Sequence, residues 1–123
     1  MNASDISDLV TRELASYVYE PPPPGTTLGV PWSGEEVRGY VVQLRSALVA
    51  PYLQKFKRSD TVAQINAVPP ETAEYWVVAV SPGYIEFYDS NSGEFGLAAE
   101  AHAGGLPVTI GVWGDLVGVF CAI

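Results

Sequence analysis

The chain has very few of the side chains on which metal and nucleophilic chemistry depend. Its 123 residues include one cysteine, Cys121, and one histidine, His102. A single cysteine excludes an intramolecular disulfide, and neither residue type is numerous enough for a multi-cysteine or multi-histidine metal site. The sequence also lacks a nucleophile elbow, a phosphate-binding loop, a dinucleotide-binding glycine motif and a His-Glu-x-x-His zinc helix. We therefore predict a protein that is not an enzyme, with no catalytic residues, no cofactor and no metal.

Basic side chains are absent from the C-terminal half of the sequence. All six lysines and arginines precede position 59, and so do six of the fourteen acidic residues. Residues 1–58 therefore have a formal charge of zero, and residues 59–123 carry the whole net charge of −8. Because phosphate backbones would be repelled by such a surface, we expect no nucleic acid to bind there. The acidity either serves solubility alone or complements a basic protein partner.

No hydrophobic run approaches the roughly 20 residues that a membrane helix needs. Residues 1–5 include an acid and no base, unlike the basic start of a secretory signal peptide. We therefore expect a cytoplasmic protein with no membrane association. Since 48% of the residues are hydrophobic, we also expect a packed core within one domain, 1–123.

The first 58 residues are expected to be mainly helical. Apolar residues recur at helical spacing through 5–18. Ser33 and Glu36 fit a capping box that starts a second helix, which Pro51 should end near Ala50. The proline-rich stretch 21–25 between the two helices is predicted to be a stiff connector. Residues 52–57 are expected to add a helical turn, and residues 61–68 to form an edge strand.

Residues 59–123 have the pattern of an antiparallel sheet of four to six strands, arranged as a meander of hairpins. In the first hairpin, 74–80 and 84–89 are rich in aromatic and β-branched residues and flank a Ser-Pro-Gly turn. Pairing Val80 with Ile85 predicts one apolar face, which consists of Trp76, Val78, Val80, Ile85 and Phe87. The two N-terminal helices are expected to pack on this face, which gives an α+β fold.

The opposite face of the first hairpin is the first candidate binding surface. Tyr84, Glu86 and Tyr88 form a stripe on that face, and Asp89 and Glu94 flank the turn that follows. We expect this face to be exposed and to bind a basic protein partner, as small acidic immunity or inhibitor proteins do. An unpaired sheet edge or the same tyrosine face could also support a homodimer.

A second hairpin provides the alternative candidate, a small-molecule pocket. Residues 107–113 and 116–123 flank a Gly-Asp turn, and this register places Gly111 opposite Gly118. The two glycines would leave a notch between Trp113 and Phe120. With helices lying across a curved sheet, this notch and His102 would enclose the cavity of a small-molecule-binding protein or minor enzyme. If the protein's own side chains fill the notch, it is only structural.

Overall fold

The computed structural model describes residues 1–19, 33–101 and 105–123. The expected connector 21–25 and His102 lie outside the described residues. Within the described ranges two helices come first and a five-stranded, mainly antiparallel sheet follows, so the predicted α+β fold is confirmed. None of the helices in these ranges has the length and apolar character needed to cross a membrane.

The two predicted N-terminal helices are present as α1 (Ala3–Ser16) and α2 (Gly34–Ala47), and each begins with a capping box. At the start of α2, the Glu36 backbone N–H donates to the Ser33 hydroxyl oxygen at 3.1 Å, as the sequence predicted. Each helix buries one apolar stripe and exposes its other face. The buried residues are Ile6, Val10, Leu14, Val37 and Leu44.

The chain becomes extended directly after α2. Strand β1 (Leu48–Lys57) begins at the C-cap of that helix, so the predicted helical turn at 52–57 is wrong. Pro51 lacks a backbone N–H and obstructs a preceding helical turn, whereas the extended chain can pair with a neighbouring strand. The predicted edge strand at 61–68 is also wrong. A short helix, α3 (Val62–Ile65), forms there, and its N-cap Thr61 accepts the Gln64 N–H at 3.2 Å.

The strands form a closed barrel in the order β1-β2-β3-β4-β5. The last four run as the predicted antiparallel meander; they are β2 (Thr72–Ser81), β3 (Tyr84–Asp89), β4 (Glu94–Ala99) and β5 (Val108–Gly114). A single parallel contact closes the barrel, where Lys57 of β1 lies beside Val108 of β5. The Lys57 N–H donates to the Pro107 carbonyl there at 2.9 Å.

The β2–β3 hairpin has the predicted turn but not the predicted register along its whole length. Val80 pairs with Ile85 as expected, and a bulge between Val77 and Ala79 then shifts the register by one residue. Val77 therefore pairs with Phe87, whereas Val78 would be the partner of Phe87 in a regular register. Because side chains alternate along a strand, this shift transfers residues between the two faces.

The C-terminal residues form a helix instead of the second strand of a hairpin. Helix α4 (Leu116–Phe120) starts at Asp115, whose carboxylate accepts the Gly118 N–H at 3.2 Å. The predicted strand at 116–123 is therefore wrong. An Asp directly before an apolar segment can cap a helix as readily as it can form a turn, and here the cap prevails.

The hydrophobic residues divide into two clusters, one inside the barrel and one between the sheet and the helices. Phe56, Tyr75, Val77, Ile85, Phe87 and Ala98 form the first. The second joins α1, α2 and α4 to Val78, Ala79, Tyr88, Phe95 and Leu97 of the sheet. The expected helix-packing face is therefore correct for Val78 and Trp76, and wrong for Ile85 and Phe87, which the bulge leaves inside the barrel.

Candidate functional site

A cleft of about 600 Å³ opens at one end of the barrel. All five strands contribute to this end, since it lies where β1, β3 and β5 finish and where β2 and β4 begin. Its described lining is mostly polar and carries four carboxylates and one guanidinium, a formal charge of −3. The lining residues are Arg58, Asp60, Ala73, Glu74, Tyr75, Asp89, Asn91, Ser92, Glu94 and Trp113.

Aromatic rings from the barrel interior form the floor of the cleft. Tyr75 stacks on Phe87 with 4.5 Å between ring centroids, and Trp113 meets both rings edge-on at 5.8 and 5.2 Å. Gly96 makes this arrangement possible, because a Cβ atom at that position would lie 2.4 Å from Cζ of Phe87. The packed cluster beneath them fixes the positions of Tyr75 and Trp113 in the cleft.

The side of the cleft that follows β1 is held against β5 by hydrogen bonds. The Ser59 N–H donates to Thr109 Oγ1 at 2.8 Å, and the Gly111 N–H donates to Asp60 Oδ1 at 3.0 Å. Gly111 has a φ of 79°, a backbone conformation that side-chain-bearing residues rarely adopt. The Asp60 N–H in turn donates to Gln64 Oε1 at 2.9 Å. These bonds fix the Asp60 carboxylate at the rim without consuming both of its oxygens.

The opposite side of the cleft is the turn between β3 and β4. The Asn91 N–H donates to Asp89 Oδ1 at 2.9 Å, and the Gly93 N–H donates to the Asp89 carbonyl at the same distance. Such an Asx turn orders a polar loop through its own backbone. Glu94 starts β4 directly afterwards, so the same turn positions a second rim carboxylate.

Arg58 is the only basic residue among those that line the cleft. Its Nε atom is shielded from solvent and has no hydrogen-bond partner among the described residues. Burial raises the pKa of the Tyr75 hydroxyl. The positive charge of Arg58 lowers this pKa, whereas the negative charges of Asp89 and Asp60 raise it further. All three charges therefore influence the ionisation of the Tyr75 hydroxyl, whose ring belongs to the aromatic floor.

The structure divides the first candidate surface into two parts. Asp89 and Glu94 lie at the rim of the cleft, as part of an accessible acidic surface. Tyr84 is only partly exposed and packs against the helix-side cluster. Glu86 and Tyr88 are 1% and 7% exposed, so the expectation of an exposed Tyr84-Glu86-Tyr88 face is wrong for these two side chains. The helices cover the face of the sheet that we expected to be open, since these three residues alternate along β3 with Ile85 and Phe87, which face the barrel interior.

Glu86 is the most unusual buried group in the described part of the chain. Both of its carboxylate oxygens are shielded from solvent and lack a hydrogen-bond partner. Burial raises the pKa of this carboxyl well above its ordinary value, and the charge of Asp115 raises it further. Burial, followed by Asp115 and Glu86, likewise raises the pKa of the Cys121 thiol to about 11. Cys121 is therefore a protonated, buried thiol at neutral pH and a poor nucleophile.

The alternative pocket is not assembled as the sequence suggested. Gly118 lies in helix α4 and not in a strand opposite Gly111, so no glycine notch forms between two strands. Phe120 is buried in the cluster beneath the helices, whereas Trp113 packs on the barrel-interior aromatics. Trp113 is the member of this candidate set that belongs to the cleft, where it joins Asp89 and Glu94 from the other set.

The predicted site residues did not include Arg58, Asp60, Glu74 or Tyr75. Arg58 and Asp60 follow a segment that was expected to be helical, and they approach Trp113 only because β1 and β5 meet across some fifty intervening positions. Alternation placed Glu74 on the same face as Trp76, which we expected to be apolar, and its place at the barrel end was not visible. Within the described ranges, no group of three or more His, Cys, Asp or Glu side chains is placed to hold a metal ion.

Comparison with known proteins gives no family for this chain. No protein-family model matches it, and searches of curated proteins and of solved structures yield no match. The cleft must therefore be interpreted from its own geometry and charge.

Proposed function

We propose that this protein is a non-enzymatic binding protein that engages a basic protein partner through the cleft at the end of its barrel. The observation that carries the proposal is the set of four carboxylates around an aromatic floor. Carboxylates attract a lysine or arginine side chain, and the faces of Trp113 and Tyr75 can hold a cation by its interaction with an aromatic ring. The partner is thus expected to insert a basic side chain between the rim and the floor.

The rim supports this function because two of its carboxylates are held in place before any partner arrives. Asp60 and Asp89 each accept one backbone N–H, which leaves their remaining oxygen free to accept from a ligand. A site that is already ordered loses less conformational entropy when it binds. The acidic net charge of the protein adds long-range attraction for a basic partner, and this attraction should weaken as salt is added.

The proposal is tested by titrating the protein with an acetylated, amidated hexa-arginine peptide at two salt concentrations. The variant E74Q/E94Q removes two rim charges, and D8N/E100Q removes two exposed charges outside the cleft, so both have a net charge of −6. We expect E74Q/E94Q to weaken binding by roughly tenfold, with a smaller salt dependence, because exposed ion pairs contribute up to about 1 kcal/mol each.

The charge-matched control separates a site from general attraction. D8N/E100Q should bind the peptide almost as tightly as the unaltered protein, because its cleft is intact. If the two double variants lose affinity equally, the attraction comes from net charge alone and the cleft is not the binding site. The circular dichroism of each variant should be unchanged, since the four substituted side chains are exposed.

A further inference from the structure

The cleft contains a cation that a purely basic ligand would not require. Arg58 lines the same cavity as the four carboxylates. The planar guanidinium is also the side chain that best recognises a carboxylate, because its donors match the two oxygens.

We propose that the cleft binds the C-terminal basic residue of a partner chain, with Arg58 pairing with the terminal carboxylate. This inference rests on the proposed function and specifies its ligand. A C-terminal arginine or lysine carries a cation and an anion on one residue, which matches a cleft that has both signs of charge. An internal arginine or lysine offers only the cation and brings no anion to the Arg58 guanidinium.

Charged groups of both signs line opposite sides of one cavity. Arg58 precedes Asp60 on the segment that is bonded to β5, and Asp89 and Glu94 lie on the opposite turn. Arg58, Asp60 and Asp89 line the same cavity as the Tyr75 ring. The aliphatic part of a basic side chain would cover Tyr75 and Trp113, while its cation reaches the rim carboxylates.

The test compares two peptides that differ only at the chain end. Acetyl-Gly-Gly-Arg with a free carboxylate and the same peptide with a C-terminal amide are titrated into the labelled protein, and binding is followed by the Trp113 indole NMR signal. We expect the free acid to bind at least about tenfold more tightly, equivalent to about 1.4 kcal/mol. R58Q should remove this preference. It should weaken binding of the acid peptide and leave binding of the amide unchanged or tighter, because the cleft becomes more acidic.

The outcomes separate this inference from the proposed function. If both peptides bind equally and both are weakened by E74Q/E94Q, the cleft binds cations but Arg58 does not recognise a terminus, so the inference is overturned and the proposed function stands. If neither these peptides nor hexa-arginine perturbs Trp113, both are overturned. R58Q should fold normally, because the Arg58 backbone N–H donates to the Glu71 carbonyl at 2.8 Å regardless of the side chain.

Discussion

Replacing Glu86 by glutamine should change how the stability of this protein depends on pH. The carboxyl is 1% exposed, both of its oxygens lack partners, and its pKa is raised well above 4.5 by burial and then by Asp115. In the unfolded chain the carboxyl ionises near its ordinary pKa, whereas in the folded protein it keeps its proton to higher pH. Folding therefore takes up a proton at this carboxyl. As a result, the contribution of Glu86 to the free energy of unfolding falls as pH rises above about 4.5.

The magnitude follows from proton linkage. While the pH lies between the unfolded and folded pKa values, each pH unit costs about 1.4 kcal/mol of stability. Between the ordinary pKa of 4.5 and pH 7 the loss therefore has a ceiling of about 3.4 kcal/mol. Glutamine has nearly the same shape and does not ionise, so E86Q should lack this slope. The two proteins should have similar stability at pH 4, where the carboxyl is protonated in both states and each side chain buries an unpaired polar group.

The assay is urea unfolding followed by tryptophan fluorescence at half-unit steps from pH 4 to 8. The informative quantity is the stability of E86Q minus that of the unaltered protein, because all other titratable groups are the same in both proteins and their contributions cancel. We expect this difference to grow with pH. A difference that stays flat from pH 4.5 to 8 would refute the reasoning, since it would mean that Glu86 ionises equally easily in both states. The substitution D115N keeps a capping side chain but removes a negative charge that raises the pKa of Glu86. When it is present in both proteins, their difference in stability should therefore stop growing at a lower pH.

Three other variants test the packing of the barrel, a glycine in α2 and the edge of β1. Gly96→Ala places a Cβ atom against the Phe87 ring and should cost about 1–3 kcal/mol in chemical unfolding; Gly39→Ala in α2, where the new atom meets nothing within 4 Å, should instead stabilise by about 0.5–1 kcal/mol. Apart from its single contact with β5, the outer edge of β1 includes Pro51 and Lys55, both of which disfavour strand addition. The variant P51V/K55V should therefore self-associate more than the unaltered protein in sedimentation experiments at equal concentration, and an unchanged mass distribution would show that these residues do not protect the edge.

The elements that depend on local chemistry were predictable from the sequence. The capping box at Ser33 and the turn between β2 and β3 formed as expected, because each depends on residues within a few positions of one another. The predictions that were wrong concern segments that could form either of two local structures, where a longer-range interaction decides between them. A Gly-Asp pair can close a hairpin or cap a helix, and only the packing of α4 against the sheet and the other helices favours the cap at Asp115.

The burial of Glu86 and Tyr88 had the largest consequence for the predicted site. Alternation correctly grouped Tyr84, Glu86 and Tyr88 on one face of β3, but it could not show which face the helices would cover. A polar stripe normally suggests exposure, and here it includes a carboxyl that the fold buries at a cost in stability. Because Glu86 is polar but buried, the sequence pattern of β3 resembled that of a strand with one exposed face.

Four of the acidic residues in 59–123 come together at one end of the barrel, and they do so only because the barrel closes. Asp89 and Glu94 were assigned to a sheet face and Trp113 to a separate notch, since nothing local relates the turn after β3 to the end of β5. The contact between Lys57 and Val108 carries Arg58 and Asp60 to the same end of the barrel and adds a cation to a group of carboxylates. This cation adds no attraction for a basic side chain, but a guanidinium can pair with a carboxylate of a ligand. This is the physical reason for assigning Arg58 to recognition of a ligand.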